Sequence, residues 1–117
     1  MKKTIFYLKT CNTNQKIMAQ HNLDDFELRE IKTAPITEAE IEEMHKLAGS
    51  YEAIFSRRSM KYKAWGLKDK ELGENDFKEL ILKEYTFLKR PVIIIGNKLF
   101  AGNAKKEVEA GLEAAKA

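Results

Sequence analysis

The chain has 117 residues, 44% hydrophobic and 33% charged, a length suited to one hydrophobic core and a composition that excludes a disordered protein. A balance of 21 lysines and arginines against 18 aspartates and glutamates leaves a net charge of +3, too small to point to nucleic acid without a local cluster. No apolar run approaches the ~20 residues of a membrane helix, and Thr4 to Leu8 is too short for a signal-peptide core, so a cytoplasmic protein with no membrane partner is expected, and at this size, with no heptad pattern, a monomer.

Lys3 to Leu8 is apolar and β-prone, and Cys11 follows at the head of Asn12-Thr13-Asn14-Gln15, polar residues that suit a helix N-terminus. The spacing predicts a helix that turns Ile17, Met18 and Ala19 inward and ends near His21-Asn22, with the asparagine suited to a left-handed C-terminal position. A second strand fits Asp25 to Ile31, where Phe26 and Leu28 start a rough alternation that runs on through Arg29-Glu30-Ile31. Strand, helix and strand make one βαβ unit, for which parallel strands and a right-handed crossover are expected.

After Pro35, the sequence Thr37-Glu38-Ala39-Glu40 is a capping box, flanked by Ile36 and Ile41 as a hydrophobic staple. Ile41, Met44 and Leu47 mark the inner face of this helix up to Gly49, and Tyr51, Ile54 and Phe55 suggest a further helical turn or two. Ser56 to Gly73 is charged and reads as irregular, with Gly66 and Gly73 as breakers. Another helix is predicted from Asn75-Asp76, with Phe77, Leu80, Ile81 and Tyr85 on one face. Trp65, Phe77, Tyr85 and Phe87 read as the core of this helical stretch. Val92 to Ile95 is a buried strand by composition, Gly96-Asn97 a hairpin turn, Lys98 to Ala101 the returning strand, and Gly102-Asn103 opens a last helix bearing Val108, Leu112 and Ala115. The order βαβ, helical stretch, ββα is of the α/β class with a four-stranded mixed sheet.

Cys11 is the single cysteine, which excludes an intramolecular disulfide, a CxxC redox pair and any multi-cysteine zinc site. Thiol chemistry here therefore needs the resolving thiol of another molecule. A thiol at a helix N-terminus lies beside unsatisfied N–H groups and the positive end of the macrodipole, both of which favour the thiolate. By composition alone a small buried hydrophobe is an equal reading of a lone cysteine. The polar neighbours Lys9, Thr10, Asn12, Thr13 and Asn14 weigh against it.

Ser56-Arg57-Arg58-Ser59 and Arg90-Pro91 supply guanidinium groups, which bind tetrahedral oxyanions bidentately and hold nearby thiolates charged. Each arginine taken separately reads as a solvated surface residue, and only the combination with a thiol points to an oxyanion-reacting site. Pro91, just before an apolar strand, stands where a cis bond can re-aim the backbone, and the sequence is compatible with either isomer. His21 and His45 lie in separate helices without ligand spacing, so no metal is expected.

These blocks together carry a family resemblance. They are the strand with Cys11 at a helix start, Ser56-Arg57-Arg58-Ser59 with Tyr62 and Trp65-Gly66-Leu67, Leu88-Lys89-Arg90-Pro91-Val92-Ile93-Ile94-Ile95, and Gly102 before the last helix. Over nearly its full length the chain resembles the arsenate reductase family of the glutathione and glutaredoxin dependent type, which also contains the Spx regulators. It looks closest to that family's branch of small uncharacterised reductases. The most specific piece is Leu88-Lys89-Arg90-Pro91 before a β-branched strand.

The resemblance implies a thioredoxin-like fold, one domain over residues 1–117 with a helical insertion at about 37–88, a cis Pro91 and a monothiol mechanism. Matched by motif, the catalytic residues are Cys11 as nucleophile, Arg58, a more natural match than Arg57, and Arg90. Asn12, Thr13, Asn14, Arg57, Pro91 and Asn103 are the expected substrate-binding residues. No bound cofactor is implied, and glutathione and glutaredoxin serve as external reductants. The implied partners are glutaredoxin or another thiol donor and a small oxyanion, such as arsenate, or a thiol substrate.

The sequence departs from the family pattern at three places. Asn103 stands where the arsenate reductases carry a third arginine, Tyr7-Leu8-Lys9 replaces a His-Asn-Pro stretch, and Asn14 occupies the second cysteine position of the Spx switch. An Spx-like regulator or adaptor that binds a protein partner, such as RNA polymerase, without redox turnover is therefore the alternative. Nucleic-acid binding through Arg57, Arg58, Lys61, Tyr62, Lys63 and Trp65 is the weakest reading, since a solvated charged face accounts for the same cluster.

Overall fold

In the computed structural model, which describes residues 2–116, the apolar run Thr4-Ile5-Phe6 lies buried in strand β1 (Lys3–Tyr7). Among the described residues β1 is an inner strand of a four-stranded sheet of order β2-β1-β3-β4. Strand β2 (Glu27–Glu30) pairs parallel to β1 with Leu28 opposite Ile5, and strand β3 (Val92–Ile95) pairs antiparallel on its other side with Val92 opposite Phe6. The hairpin through Gly96-Asn97 returns as β4 (Lys98–Ala101). The expected α/β class and mixed sheet are thus what the chain adopts.

All four residues of β3 are buried, which is why it reads as a continuous apolar run instead of an alternation. Helix α1 (Asn12–Gln20) joins β1 to β2. Ile17 is buried, Met18 half-buried and Ala19 exposed, so the inward face is rotated from the one expected, and Asn14 takes a buried place on it. The helix ends at His21 in extended backbone, φ −126°, and not in a left-handed asparagine. The Asn22 side chain instead accepts the Asp24 N–H at 3.0 Å, a local turn that competes with helix continuation. Strand β2 is shorter than expected, and Leu28 is 48% exposed because β2 is a charged edge strand. After β4 the last helix returns as α5 (Lys105–Lys116). A Cβ on its Gly111 would lie 3.1 Å from Ile93 Cδ1 and 3.3 Å from Phe100 Cδ2, so the absent side chain lets α5 approach β3 and β4 closely. Ile5, Leu23, Ile93, Ile95 and Ala115 form the core there, with Met18, Phe26, Phe100 and Leu112 packed against it.

The sheet with α1 and α5 belongs to one compact unit, and residues 36–89 form a second. In the second unit the capping box is complete: Thr37 Oγ1 accepts the Glu40 N–H at 3.1 Å and Glu40 Oε1 accepts the Thr37 N–H at 2.9 Å. Helix α2 (Glu38–Ala48) ends at Gly49, whose φ of 92° lies in the region that favours glycine. A 3-10 turn over Glu52–Ile54 follows. The stretch read as irregular holds a short helix, α3 (Met60–Ala64), capped by Ser59 Oγ on the Lys61 N–H, and a 3-10 turn over Leu67–Asp69. None of the five residues of α3 is buried, so it has no apolar period to read.

Helix α4 (Glu74–Lys83) buries Phe77 and Ile81. Tyr85 lies beyond it, in a 3-10 turn over Tyr85–Phe87, and so does not share its face. Phe55 is the hub of this core, with ring centroids 4.8 Å from Phe77 and 5.2 Å from Phe87, while Trp65 packs edge-on to Phe87 at 5.4 Å. Trp65 and Tyr85 are half-buried at its margin.

Candidate active site

One end of the sheet gathers three segments. Strand β1 runs toward Cys11. Because β3 is antiparallel to it, with Val92 opposite Phe6, the start of β3 at Arg90-Pro91 lies at that same end. Ala101 pairs with Val92, so β4 also finishes there, at Gly102-Asn103. The Arg90–Pro91 peptide is cis, and the Gly102 N–H donates to the Pro91 carbonyl at 3.0 Å. Gly102 does so at φ 103°, a conformation that side chains disfavour. Pairing alone therefore brings the Cys11 segment, Arg90, Pro91 and Asn103 together, although they are far apart in sequence. Arg57 and Arg58 belong to the second unit.

Cys11 is a free, half-buried thiol. It is the N-cap of α1, with φ −84° and ψ 118°, and its side chain makes no cap hydrogen bond. Its N–H donates to the Leu8 carbonyl at 3.1 Å and its carbonyl accepts the Gln15 N–H at 2.9 Å. The N–H groups of Asn12, Thr13 and Asn14 thus precede the first intrahelical bond and stand at the positive end of the α1 dipole. Asn12, Thr13 and Asn103 are exposed, Arg90 is half-buried and Pro91 is buried.

The loop before Cys11 is fastened by three side chains. Asn14 Oδ1 accepts the Leu8 N–H at 2.9 Å, Gln15 Nε2 donates to the Lys9 carbonyl at 2.6 Å, and Glu30 Oε2 accepts the Lys9 N–H at 2.9 Å. Glu30 Oε1 in turn accepts the N–H groups of Lys32 at 2.9 Å and Thr33 at 2.7 Å and the Thr33 hydroxyl at 2.9 Å. Burial pushes the Glu30 carboxyl up, and the hydrogen bonds from Lys9, Thr33 and Lys32 outweigh it, leaving its pKa below the ordinary value. Glu30 and Gln15 are absent from the sequence-based site. Glu30 is separated from Lys9 by 21 positions, and no local spacing marks such a bond.

Asn14 was expected to meet substrate, yet its side chain is turned inward and is 1% exposed. Its Nδ2 has no partner among the described residues. A groove of about 360 Å³ on the α1 side of the loop is lined by Tyr7, Leu8, Lys9, Gln15, Met18 and Ala19, without Cys11 or Arg90.

The two neighbouring arginines of the second unit differ. Arg57 Nη2 lies 2.7 Å from Glu52 Oε2, and its guanidinium sits over the rings of Phe55 at 5.9 Å and Phe77 at 5.4 Å. The bond to Glu52 raises its pKa against a smaller opposing effect of burial. Arg58 is exposed, and among the described residues its guanidinium has no side-chain partner. Among those residues, no group of three His, Cys, Asp or Glu could hold a metal ion, and no helix is long and apolar enough to cross a membrane.

The model of the ArsC family matches residues 6–111, a span that contains Cys11, Arg57, Arg58, Arg90, Pro91 and Asn103. The chain belongs to the ArsC family. Solved structures share the fold. An ArsC family related protein from Bacteroides fragilis is 23% identical with a TM-score of 0.78, over 94% of this chain and 97% of that one. An arsenate reductase from Vibrio cholerae is 16% identical with a TM-score of 0.74, over 97% and 98% of the two chains. An arsenate reductase related protein from Brucella melitensis is 21% identical with a TM-score of 0.69, over 97% and 96%. At these identities the likeness establishes the thioredoxin-like fold of the ArsC family for this chain. No curated protein matches the sequence.

Proposed function

We propose that this ArsC family protein is a thiol-dependent reductase in which Cys11 is the nucleophile and an external thiol completes the cycle. The observation that carries this reading is the half-buried Cys11 thiol at the head of α1, on the sheet end that also bears Arg90 and Asn103.

The Cys11 thiolate attacks the central atom of an oxyanion such as arsenate, and an oxygen leaves as water. The N–H groups at the start of α1 and the Arg90 guanidinium offset the negative charge on the remaining oxygens, an effect in place before the reaction begins. Glutathione then attacks the adduct. The central atom gains two electrons, and Cys11 and glutathione are left joined as a mixed disulfide. Glutaredoxin or a similar thiol exchanges with that disulfide and regenerates Cys11. With a glutathionylated substrate, Cys11 enters the same cycle at the mixed disulfide. The chain has no second cysteine to resolve the adduct, which supports the external donor. Arg58 takes its role from the family resemblance, and the lack of a side-chain partner among the described residues agrees with it.

Asn103 favours a second reading. It leaves the site without the guanidinium that the resemblance expects there, as in a regulator or adaptor that keeps the fold and binds a protein partner without turnover. A coupled assay separates the two. It follows oxidation of a reduced nicotinamide through glutathione reductase, glutathione and glutaredoxin, with arsenate or a glutathionylated peptide as substrate. Turnover lost in Cys11→Ser supports the reductase. Absence of turnover with both substrates, or turnover retained in Cys11→Ser, overturns it.

A further inference from the structure

We infer that the buried carboxamide of Asn14 is a catalytic donor, whose Nδ2–H takes the Cys11 sulfur as acceptor whenever that sulfur carries charge. This rests on the reading of Cys11 as the nucleophile. Asn14 occupies the third position after Cys11, where a C-x-x-C protein would carry its second thiol.

Three observations lead to it. First, the orientation of the carboxamide is set: Oδ1 accepts the Leu8 N–H at 2.9 Å, and a flipped amide would place N–H against N–H. Secondly, Nδ2 is buried and has no acceptor among the described residues, the Cys11 sulfur included. An orphaned buried donor is a standing cost, which an apolar side chain of similar shape would not incur. Thirdly, Asn14 lies in the first turn of α1, where side chains lean toward the N-terminus and residues three apart are neighbours. Its amide grips Leu8, and Leu8 is the residue whose carbonyl closes the turn onto the Cys11 N–H at 3.1 Å.

The Cys11 sulfur makes no cap bond and is only half-buried. Rotation about its Cα–Cβ bond moves it toward the cap position, where side chains of N-cap residues accept hydrogen bonds from the first turn. A neutral thiol is a weak acceptor and gains little there, whereas a thiolate gains a charge-assisted bond. Nδ2 is therefore unused in the resting thiol and engaged twice in the cycle. It meets the attacking thiolate, and it meets the sulfur again when the external thiolate bonds to the other sulfur of the mixed disulfide and the electron pair of the broken bond returns to Cys11.

The test uses the full-length protein labelled with nitrogen-15. The Asn14 side-chain amide signals are followed from pH 5 to pH 10 beside the Cys11 Cβ shift. Signals that move with ionisation of Cys11, and stay still in Cys11→Ser, support the inference. The serine control removes contributions from Lys9, Lys16, Glu30 and Arg90, the charged groups on the flanking segments. Stationary signals overturn it and leave Nδ2 to an ordered water. Alkylation of Cys11 by iodoacetamide at pH 7 is the second readout. Asn14→Leu is expected to slow it about threefold or more, and Asn14→Ser, which keeps a hydroxyl donor, to restore most of the rate. Equal rates in wild type and a folded Asn14→Leu overturn the inference while the nucleophile reading stands. A wild-type Cys11 that alkylates no faster than an unstructured cysteine peptide overturns both.

Discussion

The Glu30 carboxylate accepts the N–H of Lys9 at 2.9 Å, so the end of β2 holds the loop that delivers Cys11 to the head of α1. The same carboxylate closes the turn after β2 through Lys32 and Thr33. A single side chain thus ties the site loop to the edge of the sheet.

From this follows a pH dependence with a definite sign. The folded Glu30 pKa lies below its ordinary value of 4.5, so the carboxylate stabilises the native state fully above that value. The contribution is lost as pH falls through the lower folded pKa. Glu30→Gln is expected to cost about 1 kcal/mol at pH 7, the scale of a hydrogen bond to a charged group partly open to water. Urea unfolding at pH 3, 5 and 7 should show the gap between the two proteins narrowing toward pH 3.

Replacement of Cys11 by serine separates chemistry from stability. Its sulfur makes no cap bond, and serine is among the better N-cap residues. Cys11→Ser should abolish turnover while the melting temperature holds or rises. A fall equivalent to more than about 1 kcal/mol would mean that the thiol packs into the core instead.

Arg57 and Arg58 should separate in the opposite sense. Arg57→Ala removes an exposed ion pair to Glu52 and the guanidinium over Phe55 and Phe77. It should cost roughly 0.5–1.5 kcal/mol of stability. Arg58 has no side-chain partner among the described residues, so Arg58→Ala should leave unfolding unchanged, while kcat/KM falls about 100-fold, the scale of a lost oxyanion donor. Paired denaturation and kinetic measurements on the two variants would expose the reverse pattern.

Gly111 sets the approach of α5 to the sheet. Gly111→Val places branched carbon where even a Cβ lies 3.1 Å from Ile93 Cδ1, and overpacking of this kind costs about 1–3 kcal/mol. Gly111→Ala meets less crowding and recovers about 1 kcal/mol of helix propensity, so it should lie close to wild type. Thermal unfolding of both variants checks the order.

Features of the chain that depend on neighbours in sequence were legible without the structure. The box of Thr37 and Glu40, the hairpin at Gly96-Asn97 and the apolar strand Val92 to Ile95 each rest on contacts within a few residues or on one buried run. The family blocks around Cys11, Ser56 to Ser59 and Arg90-Pro91 were equally readable, because residue type and order carry them. Helix α3 escaped, since it buries nothing.

Tertiary structure decided what depends on partners far along the chain. Strand pairing places Pro91 and Gly102 at the end of β1. Packing turns Asn14 inward, and a bond across 21 positions recruits Glu30. Arg57 is committed to Glu52 and two rings, while among the described residues its neighbour Arg58 has no side-chain partner. In each case the sequence supplies the chemical group, and the packing of the folded chain selects its partner and so its role.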